Sequence, residues 1–423
     1  MKKWLMTAIA VATPAAFAGD ADQQILQKLE QLQRTVMEQQ AQINTLKAEL
    51  SEQSDVSELV RSELDSAIEA KGLAQVKDLG PVIQLPKQID GLKIKGDVRF
   101  RYERRDEEFG ANGESTRDRY RTRFRLGGVW QTNEGWEIGA GLATGDEGGT
   151  STNETWSDDE PFHSGDIRLD YAYAKHSWDC WSLTVGQHKN PYVSSFLLWD
   201  SDLRPTGVSA QYKMDGLFAT AGWYEVQNLG TDEASVQMWG AQVGYEMDVE
   251  GTDILIAASY YHYNDGPTSD FIGIDDDYTW DIGDIYAEVG LPVGEASVSL
   301  YGHVWMNMGA SGDTGESVLG GTEEGDDNDM GYALGLKGKM GNFSAKYAYG
   351  RCEADSAPGI FVNSDFGTGT AGGALNAKGH VFELGYKLTK NFSIAGTAML
   401  TEEIEDNNDE ESNLYQIDLK YKF

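Results

Sequence analysis

Two periods run through this chain, one after the other. From Ile25 the apolar residues recur by four and three, at Ile25, Leu29, Leu32, Val36, Ile43, Leu46 and Leu50, with Gln39 on the remaining seam position. Helix-forming Gln, Glu, Lys and Arg fill the gaps, and no Pro or Gly occurs between Ala21 and Lys71. Such sustained heptads predict a coiled coil, because so narrow an apolar stripe would not hold a helix alone. At ~1.5 Å per residue, residues 22–53 would reach roughly 45–50 Å. Gly72, Gly80, Pro81 and Pro86 then interrupt the pattern and predict a linker.

From Gly91 the period becomes 2. Leu92, Ile94, Val98, Phe100 and Tyr102 share one parity, and Lys93, Lys95, Asp97, Arg99, Arg101, Glu103 and Arg105 share the other. The next segment sets Tyr120, Phe124, Leu126 and Trp130 against Arg117, Arg119, Arg121, Arg123 and Arg125. Further apolar-parity sets are Ile167, Leu169, Tyr171 and Tyr173, then Phe382, Leu384, Tyr386 and Leu388. Cutting at turn signals gives segments starting near 91, 117, 136, 166, 181, 206, 217, 235, 252, 280, 295, 330, 343, 378, 392 and 413. Each is about 9–15 residues, close to the ~9–11 that a tilted strand needs to cross a bilayer. Links alternate: short ones such as Asn133-Glu134-Gly135 and Asp215-Gly216, then long polar ones at 146–165, 189–205, 264–279, 308–329 and 353–377. Short turns at one end and long loops at the other are the organisation of an outer-membrane barrel. Trp130, Trp136, Trp178, Trp181, Tyr386 and Phe392 flank turns, as an aromatic girdle requires.

The expected fold is therefore an all-β transmembrane barrel of about sixteen antiparallel strands, preceded by an α-helical coiled-coil stalk. The first residues add an address. Lys2 and Lys3 precede an apolar run from Trp4 to Ala12, and Ala16-Phe17-Ala18 offers a cleavage site, so 1–18 reads as a signal peptide. The expected organisation is signal peptide 1–18, stalk 19–71, linker 72–90 and outer-membrane barrel 91–423.

Composition narrows the function. With 34 Lys and Arg against 69 Asp and Glu, the formal net charge is -35, which argues against a nucleic-acid partner. Glycine at 49 residues, proline at 9 and aromatics at 11% suit strands and turns. Cys180 and Cys352 form no C-x-x-C pair, and strand counting puts them at opposite ends of the barrel, too far apart to bridge. His163, His176, His188, His262, His303 and His380 are scattered, no G-x-S-x-G elbow occurs in the barrel, and the acidic clusters at 275–277, 323–329 and 402–411 lack EF-hand spacing. Those clusters read as solvated outer loops. No catalytic residue, cofactor or metal site is expected.

A signal peptide, a coiled coil, a Pro-containing linker, sixteen strands and a terminal Phe423 together resemble a Gram-negative trimeric porin. More narrowly, KGDVRFRYERRD at 95–106, RYRTRFRLG at 119–127, WEIGAGLATG at 136–145 and LLWDSDLRPTG at 197–207 resemble the "putative porin" family with an N-terminal coiled coil. That resemblance implies a water-filled channel for passive diffusion of small hydrophilic solutes. It also implies a homo-oligomer, by porin analogy a trimer although the heptad seam itself does not separate dimer from trimer. The barrel would sit in the cell outer membrane among lipid and lipopolysaccharide, with the stalk in the periplasm, within reach of peptidoglycan. The alternatives are an envelope tether, or an outer-membrane enzyme with the barrel as anchor.

The expected pore wall is basic. Arg99, Arg101, Arg105, Arg117, Arg119, Arg121, Arg123 and Arg125 oppose the lipid-facing parity, and in lipid each would cost ~2–4 kcal/mol at mid-depth. Lys420 and Lys422 extend the wall once the last strand closes on the first. Two readings stay open. One is a cationic track for anions, and the other is a lattice of Arg paired with Asp97, Glu103, Asp166 and Asp170. In porins the third long loop folds inward, which implies a constriction at 189–205 bearing Phe196, Trp199, Asp200, Asp202 and Arg204. Phe196, Leu197, Leu198 and Trp199 need burial that the lumen wall can offer.

Overall fold

The computed structural model describes residues 91–109, 113–145, 151–157, 161–162, 165–228, 235–264, 280–310, 328–367, 375–404 and 410–423. The signal peptide, stalk and linker expected from the sequence lie outside them. The strands are β1 (Leu92–Phe109), β2 (Glu114–Gln131), β3 (Trp136–Thr144), β4 (Glu154–Thr155), β5 (Ile167–Trp178), β6 (Trp181–Gln187), β7 (Thr206–Met214), β8 (Leu217–Gln227) and β9 (Val236–Val249). They continue as β10 (Thr252–Tyr263), β11 (Asp281–Val293), β12 (Ala296–Asn307), β13 (Met330–Met340), β14 (Phe343–Cys352), β15 (Ala377–Lys387), β16 (Phe392–Glu403) and β17 (Glu410–Lys422). The two-residue β4 pairs only with β2, and the other sixteen close an antiparallel barrel in which β1 pairs with both β2 and β17. Every long strand begins within a few residues of its expected start.

Closure is completed by the last residue. Phe423 donates its backbone N–H to the Gly96 carbonyl at 3.1 Å and accepts the Gly96 N–H at 3.0 Å. Its ring covers Gly96, where a Cβ would stand 2.5 Å from the ring. At the turn end, the two-residue links Asp215-Gly216 and Glu250-Gly251 hold positive φ at both positions. That is the backbone twist that matches a hairpin of right-twisted strands.

Two departures from the sequence pattern have physical causes. β1 and β2 have 18 residues each, longer than a crossing needs. Their outward rows are apolar or aromatic over 92–102 and 120–130, where only Gly96, Thr122 and Gly128 interrupt them, and turn polar beyond. There Arg104 pairs with Asp106 at 2.9 Å, and Tyr102 donates to Asp118 at 2.6 Å. The hairpin therefore continues past the apolar belt as a water-facing extension. The second departure is in β5. Gly141 pairs with Tyr171 and Leu142 with Leu169, leaving Asp170 as a bulge residue. The bulge reverses the parity. Ile167 and Leu169 stay outward, at 62% and 51% exposure, while Tyr171 and Tyr173 turn into the lumen over Gly141 and Gly139. The apolar set expected to face lipid is thus split in two.

The core lies inside the barrel. Tyr224, Met238, Tyr261, Trp280, Ile282 and Trp305 point inward from or beside β8–β12, and Leu197, Leu198, Trp199, Val362 and Phe366 from two loops pack on them.

Candidate functional site

Among the described residues, parts of three connections at the loop end enter the lumen. Residues 188–205, between β6 and β7, supply the first. Leu197 is fully buried against Gly350 of β14, where a Cβ would stand 2.2 Å from its side chain, so a side chain at 350 would have to displace Leu197. Trp199 stacks on Phe361 at 5.6 Å and meets Tyr261 edge-on at 5.7 Å. Residues 353–367, between β14 and β15, supply Phe361 and Phe366, and the Phe361 carbonyl accepts the Asp200 N–H at 2.8 Å. The sequence pattern marks 353–377 only as a long polar link. Its apolar run Ile360, Phe361 and Val362, with Phe366 beyond, is the signal that marks it. Residues 151–153, before β4, form the third: Thr152 Oγ1 donates to Asp202 at 2.9 Å and Arg99 donates to Asn153.

Polar anchors hold the first loop. Val193 and Gln242 exchange two hydrogen bonds of 2.9 Å, and Arg204 meets the bulged Asp170 at 3.4 Å. The Ser195 backbone N–H and hydroxyl both lie against His303 Nδ1, at 3.3 and 2.8 Å. The N–H can only donate, so Nδ1 is the acceptor and the imidazole proton sits on Nε2, facing Asp284 at 3.7 Å. This Ser-His-Asp row is buried beneath the loop, and it ties loop to wall.

Opposite lies the basic wall. Asp97 accepts Arg123 and Arg125, each at 2.8 Å. Glu103 accepts Arg119 and meets Arg121 at 3.7 Å. Asp418 meets Arg101 at 2.7 Å and Arg99 at 3.5 Å. Asp365, from the second loop, reaches Arg101 and Arg105 at 3.5 and 3.9 Å. Burial alone would raise the Asp365 carboxyl, but Arg101, a hydrogen bond from Gln416, Arg105 and Arg121 outweigh it and hold it below the usual range. The lattice reading is thus partly realised through Asp97 and Glu103. Asp170 goes to Arg204 instead, and Asp166 forms no ion pair among the described residues. Among those residues Arg117, Lys420 and Lys422 also lack an ion pair within 4.0 Å.

The open space follows this wall. A cavity of about 1070 Å³ is lined by Arg99, Arg101, Arg105, Arg117, Arg119, Arg121 and Arg123, with Lys420 and Lys422. A second, of about 970 Å³, is lined by Arg125, Tyr171, Tyr173 and Arg204 towards the turn end. Both share Arg99, Arg123, Ser201, Asp202, Lys420 and Lys422, so they adjoin there. Of the loop residues singled out in the sequence, Phe196, Asp200 and Asp202 line the first cavity. Trp199 is packed away behind it. Asp202 reaches Arg125 at 3.4 Å. Asp200 accepts the Asp202 N–H at 2.7 Å, and its carboxyl is pushed up to about 7, mainly by burial, against the lowering effect of that hydrogen bond.

Residues 108–270 match the family described as "Putative porin". No curated protein matches the chain. Among solved structures, a triple mutant of the Rhodopseudomonas blastica porin is 13% identical with a TM-score of 0.47, covering 78% of this chain and 100% of that one. Pseudomonas putida OprB, in a high-pH structure, is 10% identical with a TM-score of 0.56, covering 79% of this chain and 94% of that one. Residues 108–270, from the end of β1 to beyond β10, are thus similar to the "Putative porin" family, and the closed barrel is the fold shared with OprB.

Proposed function

We propose that the barrel is a water-filled outer-membrane channel for passive diffusion of small hydrophilic solutes, biased toward anions. The observation that carries this reading is the pair of adjoining cavities along β1, β2 and β17. The apolar loops fill the opposite side, so a solute would have to pass beside the arginines. Eight arginines and two lysines on that wall face the carboxylates of Asp97, Glu103, Glu107, Asp202, Asp365 and Asp418. Pairing weakens the basic field without cancelling it. Confinement also strengthens that field relative to the exposed acidic loops, which salt screens over a Debye length of ~8 Å.

The same reading has the barrel act as a homo-oligomer, by porin analogy a trimer, with the heptads of 22–53 as a periplasmic stalk. Purified full-length protein in a planar bilayer tests the channel: it should give steady conductance steps, and liposomes carrying it should swell in small sugars. Intact incorporation without either signal would favour the tether or enzyme alternatives.

A further inference from the structure

The cations at the meeting of the two cavities are placed in an unusual way. Arg99 of β1 stands directly opposite Arg123 of β2 and directly opposite Lys420 of β17. Three positive side chains therefore share one level of three adjacent strands, an arrangement that repels unless negative charge intervenes. The protein supplies only part of that charge. Asp97 holds Arg123 but divides itself with Arg125. Asp418 is bonded to Arg101 at 2.7 Å and stands 3.5 Å from Arg99. Lys420 has no carboxylate within 4.0 Å among the described residues. Arg99 is 8% exposed, and its Nε is buried with no hydrogen-bond partner, although the residue lines both cavities.

We propose that Arg99, Arg123 and Lys420 form an oxyanion-binding subsite at the junction of the two cavities. The guanidinium N–H groups not taken by Asp97 and Asn153 suit the several oxygens of a carboxylate or phosphate group better than they suit a spherical halide. The ammonium adds a mobile point charge, and the Ser201 hydroxyl on the facing loop can donate as well. Asp202, which also lines both cavities, keeps the site from becoming a trap, since a conducting site must release what it binds. The subsite deepens the channel reading and rests on it, because the bound group would be a passing solute.

The test is the chloride current through full-length protein in planar bilayers while inorganic phosphate is added, with succinate in a parallel arm. Either oxyanion should reduce the current saturably, and the lower half-blocking concentration tells which group the subsite prefers. In Arg99→Gln/Lys420→Gln the half-blocking concentration should rise about tenfold or more, as expected for losing charge-assisted hydrogen bonds. Arg99→Lys keeps the charge and loses the fork, so it should fall between the two even if the double variant folds poorly. Lys213→Gln, at the turn end and paired with Glu246, should leave the block unchanged. A chloride current indifferent to both oxyanions overturns the subsite alone, as does a block unchanged in both Arg99 variants. Absence of any chloride current overturns the channel reading, and the subsite with it.

Discussion

On the β1, β2 and β17 side of the lumen the inward rows are mainly arginine, lysine and carboxylate, and open space lies against them. On the β8–β14 side the inward residues include Tyr224, Met238, Tyr261 and Trp305, and two loops lie over them. The outward rows of both sides are largely apolar, so the outer face does not distinguish them. The difference is set by what each inward row tolerates. Covering the arginines with apolar loops would strip water from charges at a large cost. Leaving the aromatic side bare would expose it to water at roughly 25 cal/mol per Å². The two loops therefore settle on the apolar side, and the open space is left where the charge is.

The largest expected effect comes from removing the charge. Replacing Arg119, Arg121 and Arg123 with Gln deprives Glu103 of both its arginines and Asp97 of one of two, so the wall loses most of its positive excess. The reversal potential in a salt gradient should shift toward cation preference. An unchanged potential would mean that the wall does not set selectivity, and the comparison would fail on its charged side.

The apolar side breaks through its loops. Leu197→Ala opens a cavity at a fully buried position and should cost about 2–5 kcal/mol, and Trp199→Ala about 3–5 kcal/mol. Either should widen the passage and make it noisier, read as higher and more variable single-channel conductance. His303→Leu should act in the same direction, since it removes the acceptor of both Ser195 bonds. If conductance is unaltered by all three, these loops do not bound the passage.

A smaller effect belongs to the boundary between the sides. The Asp200 carboxyl, held up to about 7, is neutral below that pH and negative above it. Anion preference should therefore weaken as pH rises through about 7, and Asp200→Asn should flatten that dependence, as measured by reversal potentials between pH 6 and 8. The smallest is covalent. Cys180, in the β5–β6 turn, and Cys352, at the loop end of β14, are free, and mass spectrometry should find no peptide bridging them. Such a bridge would overturn the strand assignment on which both sides depend.

The strands were legible because a period of 2 must hold wherever one face meets lipid and the other meets water. Arg117 to Arg125 made that especially plain. The pattern failed at Asp170, since a bulge inserts one residue without a composition signal and sends Tyr171 and Tyr173 inward. The inward course of 188–205 could be anticipated from Phe196 to Trp199, which need cover. That of 353–367 was hidden by its Ser, Asp and Gly, although Phe361 and Phe366 do the same work. Ion pairing was the least legible part. Asp365 and Asp418 are far from the arginines in sequence, and only the closed barrel brings them to Arg99, Arg101 and Arg105.

The reversal potential of the unmodified protein, in a planar bilayer separating two concentrations of potassium chloride at neutral pH, tests most directly whether the passage follows the basic wall. A potential displaced toward that of chloride, on steady conductance steps, is the result this account predicts. Strong cation selectivity would contradict it, and would assign control of the passage to the acidic loops.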